Sequence, residues 1–172
     1  AIDQVIKVKG SDLSKILARF DIKLKLSSSS VDEEIKKRIL AKTSAARETL
    51  KMQYAENSSV MKNLFTFNKS VLDLKGYSSD FDFVETYPFV PYQFRLMQNV
   101  LAQIRKHGNS GKHLSGGERS MLSGFQEAAQ VIQDKDENAL APFSLFYNTV
   151  HTFLESAIRR VIDRCQTAAD SH

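Results

Sequence analysis

The chain contains no tryptophan and one cysteine, Cys165, among 172 residues. A lone cysteine excludes an internal disulfide and points to neither a zinc site nor a thiol nucleophile, so a reducing, cytoplasmic setting is expected. No apolar run approaches the roughly 18 residues of a membrane span, and the first residues lack the pattern of a signal peptide. No membrane is therefore expected as a partner. Also missing are an internal repeat, any low-complexity segment beyond the serines at 27–30, and a Ser/His/Asp or Cys/His constellation of the kind nucleophilic catalysis requires. His151 reads as a packed or surface histidine, and no metal site is assigned. What remains is an ordinary globular composition, 42% hydrophobic and 26% charged. Its net charge of +4 permits nucleic-acid contact without requiring it.

The stretch from His107 to Gln133 is the most informative. Ser115 and Glu118 form an S-x-x-E capping box, which predicts a helix N-terminus there. Met121, Leu122, Phe125, Ala128, Ala129 and Ile132 follow at helical spacing and define its buried face. Glycine in a first turn is unfavourable by up to about 1 kcal/mol against alanine, so Gly116 and Gly117 point to close approach of another backbone or of a phosphate. Lys112, His113, Ser115, Gly116, Gly117 and Arg119 are the candidate phosphate-binding residues. A capped helix packed against a neighbour, with solvated cations, fits the same residues.

Three nucleotide motifs compete here. GNSGKH at 108–113 makes a poor phosphate loop, with two residues between the glycines, histidine where a magnesium-binding hydroxyl belongs, and a helix before it rather than a strand. LSGGE at 114–118 resembles the signature motif of ABC ATPases, but residues 131–137 are too polar for the apolar strand that should follow. GERSML at 117–122 resembles the run opening a lid-domain helix in AAA+ ATPases, although Arg119 falls two residues after the glycine instead of three.

Elsewhere, alternation at Phe20, Ile22, Leu24 and Leu26 predicts a strand, and residues 1–30 read as a strand–helix–strand opening. Ser30 and Glu33 predict a capped helix start, with Asp32, Glu33 and Glu34 at the positive end of its dipole. That helix is long or broken, with Thr43-Ser44 the expected break. Lys36, Lys37, Arg38 and Lys42 read as an exposed cluster, either a solvated face or a phosphate-contacting stripe. Residues 64–67 are expected as a short strand and 76–82 as loop. Pro88 and Pro91 keep Tyr87 and Val90 extended, and a helix resumes at Pro91 with Phe94, Met97, Leu101 and Ile104 buried. The aromatics Tyr87, Phe89, Tyr92 and Phe94 are expected in the core rather than stacked on bases. After Pro142, a stripe from Phe143 through Phe146, Val150, Phe153, Ile158 and Val161 to Cys165 is the strongest packing signal in the chain, and Arg159, Arg160 and Arg164 occupy its other face.

Five blocks carry a wider resemblance: VDEEIKKRILAKT at 31–43, NLFTF at 63–67, YPFVPYQF at 87–94, IRKHG at 104–108 and GKHLSGGERSML at 111–122. Together they resemble the BrxC/PglY-type large P-loop ATPases of bacterial BREX and phage growth limitation defence systems. The resemblance covers roughly residues 27–165 and implies an internal piece of a longer ATPase, separated from its Walker motifs. It further implies ATP and magnesium in the parent protein and none in this piece. The implied partners are the remainder of that ATPase and other phage-defence proteins, with DNA as a further candidate.

The expected fold is mainly α, with about five principal helices and a small β element near the N-terminus, α+β by strict count. Residues 1–30 form the opening and 31–172 the helical domain. Three functions fit: a non-catalytic subdomain that transmits nucleotide state or helps complete the ATP pocket; a DNA-contacting module using Lys36, Lys37, Arg38, Lys42, Arg159, Arg160 and Arg164; and an assembly domain packing through its C-terminal helix. No catalytic residue is assigned, because phosphoryl transfer needs a phosphate-cradling loop, a lysine and a metal-binding acid together.

Overall fold

The structure is a computed structural model that describes residues 28–67, 70–107, 117–136 and 138–170. The side chains described run from Val31, stop at Lys106 and resume at Arg119. Seven α-helices occur among these residues: α1 (Ser28–Arg38), α2 (Ser44–Leu64), α3 (Asp80–Thr86), α4 (Pro91–His107), α5 (Gly117–Ile132), α6 (Tyr147–His151) and α7 (Ser156–Asp170). A 3-10 turn, Phe143–Phe146, precedes α6. The fold is mainly α, with no strand among the described residues. The strand–helix–strand opening lies outside the described residues.

Helix α5 is the central element, touching α1, α4, the 3-10 turn and α6. Its stripe behaves as the spacing requires. Met121, Phe125 and Ala128 are buried, and Leu122, Ala129 and Ile132 pack partly against them. Phe125 stacks on Phe94 with ring centroids 4.4 Å apart and meets Phe89 and Phe146 at 4.8 and 4.7 Å. Each such pair adds about 0.5–1.5 kcal/mol beyond the area it buries. Val31 and Ile35 of α1 and Met97 and Leu101 of α4 close this first core.

A second core joins α2 to α3. Leu50 and Tyr54 pack with Tyr77, Phe83, Val84 and Val90. The Tyr77 hydroxyl donates to the Phe89 carbonyl at 3.1 Å, and burial pushes its pKa well above the usual tyrosine range. The two cores meet along residues 87–94, where Tyr87 is extended (φ −49°, ψ 134°) and the Tyr87–Pro88 peptide is cis. Phe89 and Phe94 are core as expected, while Tyr87 and Tyr92 are half-buried.

Several expectations need correction. Helix α1 begins at Ser28 rather than Ser30, so Asp32, Glu33 and Glu34 lie beyond its first turn and do not face the positive end of its dipole. The break at 43–44 is present, and Thr43 caps α2 by accepting from the Ala46 amide at 3.2 Å. Residues 64–67 are not a strand. Leu64 ends α2, and the Phe65 ring turns into the second core against Tyr77 and Tyr92. Residues 80–82 are helical rather than loop, because Ser79 caps α3 through the Asp82 amide at 3.1 Å.

The largest correction concerns the C-terminal stripe. Phe146 is buried, and Phe143, Val150 and Phe153 pack against the first core, but the chain turns at residues 152–155. Beyond the turn, none of the fifteen residues of α7 is buried, and Ile158 and Val161 are 49% and 60% exposed. Helical period reports a shared face. It does not report what covers that face.

Candidate functional site

The candidate phosphate-binding residues divide sharply. Lys112, His113, Ser115 and Gly116 lie outside the described residues. Gly117 is the first residue of α5, and Arg119 sits in that first turn with its side chain exposed. A helix N-terminus presents free amides and a partial positive charge to an anion, so Arg119 occupies a position where a guanidinium reinforces both.

The basic cluster of α1 is less available than its composition implied. Lys36 pairs with Glu33 at 3.2 Å, and Arg38 pairs with Glu34 one turn earlier. Lys37 is exposed. Such exposed pairs contribute only about 0.3–0.5 kcal/mol each, but they engage two of the three cations that α1 offers a phosphate backbone. On α7, Arg160 and Arg164 line a shallow groove of about 520 Å³ with Asp163. The Arg160 Nε donates to the Ser156 carbonyl at 3.3 Å, and Arg159 is half-buried. His151 lies 3.0 Å from Asp163 and ties α6 to α7.

Lys42 is not part of an exposed stripe. It follows the end of α1 and is half-buried, with Nζ donating to the Glu85 carbonyl of α3 at 3.3 Å. Burial pushes its ammonium down from the usual lysine range to about 8, the Glu85 charge opposing this fall and Arg47 adding to it. The Glu85 carboxylate is already engaged by Arg47 at 2.6 Å. Two cations thus meet at Glu85, Arg47 on its carboxylate and Lys42 on its backbone carbonyl.

Lys42 also lines a groove of about 520 Å³ between the α1–α2 link and the C-terminal end of α5. The basic run at 36–42 concealed this arrangement. The signal that distinguishes Lys42 is its position, outside α1 and directly before the Thr43 cap. Among the described residues no group of three His, Cys, Asp or Glu side chains is placed to hold a metal ion. No described helix is long and apolar enough to cross a membrane. No family model matches the chain, and no solved structure matches it.

Proposed function

We propose that this chain is an assembly domain of a larger ATPase of the BrxC/PglY type, docking on the remainder of that ATPase through α7. The observation that carries the reading is the exposed apolar face of α7, where Ile158 and Val161 stand open in a helix with no buried residue. A helix of fifteen residues without tertiary cover is marginal in water, since most helical stability in proteins comes from packing an amphipathic face. Covering that face stabilises both the helix and the assembly. The five sequence blocks supply the parent protein, and a cytoplasmic setting and further phage-defence partners belong to the same reading.

Cys165 provides the test, because it is exposed on α7. A thiol reagent read by mass spectrometry should label Cys165 rapidly in the isolated chain and slowly in the intact ATPase. Ile158→Glu with Val161→Glu should restore rapid labelling in the ATPase without lowering the melting temperature of the isolated domain. Equal labelling in both contexts contradicts the reading.

A second reading rests on Arg119, exposed at the start of α5. There the domain reports nucleotide state to the parent ATPase, where ATP and magnesium are bound by elements outside this chain, and the chain alone turns over no ATP. The DNA-contacting alternative has less support, because Lys36 and Arg38 are paired within α1 and Lys42 turns inward.

A further inference from the structure

We propose that the groove beside Lys42 binds a small amphipathic carboxylate, such as a short acyl chain, with the carboxylate against the Lys42 ammonium. Its apolar walls are mainly aliphatic, among them Ile39, Leu40, Ala46, Pro88, Ala129 and Ile132, with Tyr87 the aromatic exception. A volume of about 520 Å³ falls within the range of roughly 300–1,000 Å³ that holds small ligands.

Charge complementarity selects an anion. Lys42 and Arg47 carry two positive charges, Glu85 one negative, and the Glu85 carboxylate is held by Arg47 at 2.6 Å. Lys42 itself is left with a carbonyl as its described hydrogen-bond acceptor, at the long distance of 3.3 Å. Lys135 and Asp136 also line the groove and cancel each other. The local balance is one uncompensated positive charge on a partly desolvated ammonium. A ligand carboxylate supplies the missing partner, and charge-assisted hydrogen bonds of this kind are about twice as strong as neutral ones. The apolar walls then take the acyl body out of water.

Sodium octanoate is the probe, with 1-octanol as its uncharged counterpart, followed by methyl NMR on the 172-residue chain. Octanoate should produce saturable shifts at Ile39, Ala129 and Ile132, and octanol should bind at least tenfold more weakly. Lys42→Gln should weaken octanoate at least tenfold and leave octanol unchanged. Gln133→Trp, an exposed position on the groove wall, should block both. Equal binding of octanoate and octanol to the wild-type protein overturns the role of Lys42 even if Lys42→Gln does not fold. Absence of saturable shifts at these methyls overturns the site itself.

Discussion

The Gln93 side-chain amide donates to the Ala141 carbonyl at 2.7 Å, while its own carbonyl accepts from the Val90 amide at 2.9 Å. Gln93 is 1% exposed, so both bonds lie in the interior. The Ala141 amide in turn donates to the Pro88 carbonyl at 2.9 Å. One side chain thereby fastens the start of α4 to the segment that leads into the 3-10 turn, at the seam between the two cores.

Gln93→Leu should therefore be among the more damaging single changes. It keeps the volume roughly constant but strands a buried carbonyl and a buried amide, each costing about 1–3 kcal/mol. A loss of about 2–4 kcal/mol in denaturant unfolding is expected. A loss below 1 kcal/mol would show that water or a backbone shift satisfies both groups.

Gly76 makes a different demand. A Cβ there would lie 2.8 Å from the Phe65 Cβ and 2.9 Å from the Phe65 carbonyl oxygen, and backbone cannot rotate out of the way. Gly76→Ala should destabilise by about 1–3 kcal/mol, the usual range for overpacking. Gly124→Ala meets Thr149 at the milder distance of 3.3 Å and should cost less. The order of the two variants in thermal unfolding is the check.

These contacts also mark what the sequence made legible. Helix α4 begins at Pro91, and α5 buries Met121, Phe125 and Ala128, because a strong apolar stripe at period 3.6 coincides with a clear start signal. The polar run before Phe83 concealed α3, although Ser79 and Asp82 already held the spacing of an N-terminal cap. Gln93 sits beside an apolar stripe and gave no local sign that its amide was needed. Lys42 was hidden by neighbours of the same charge. Long-range partners, Ala141 for the one and Glu85 for the other, decided both roles, and no window of sequence contains them.

Lys42 predicts a pH dependence with a definite sign. Its folded pKa of about 8 lies below the ordinary lysine value of 10.5, so the unfolded chain binds more protons between these limits. Stability attributable to this group therefore rises as pH increases from about 8 to 10.5, and below pH 8 the full desolvation penalty is present. Lys42→Met removes the penalty. Measured as the difference in unfolding free energy between variant and wild type, the advantage of the variant should shrink by up to about 3 kcal/mol across that window. A constant difference would show that the ammonium is solvated in the native state.

Arg119 separates a structural from a functional role most directly. Its side chain is exposed in the first turn of α5, and surface substitutions away from caps and buried networks usually change stability by less than about 0.5 kcal/mol. Arg119→Ala in the isolated chain should therefore leave the melting temperature nearly unchanged. In the parent ATPase proposed above, an anion at this helix start would meet backbone amides, the helix dipole and the guanidinium together. A hydrogen bond to a charged group is worth about 1.5–3 kcal/mol, which corresponds to a tenfold or greater fall in ATP turnover when it is removed. Earlier melting with activity falling in proportion would assign Arg119 to a structural ion pair instead. Normal turnover in a stably folded variant would remove it from the mechanism and leave α7 as the functional surface of the domain.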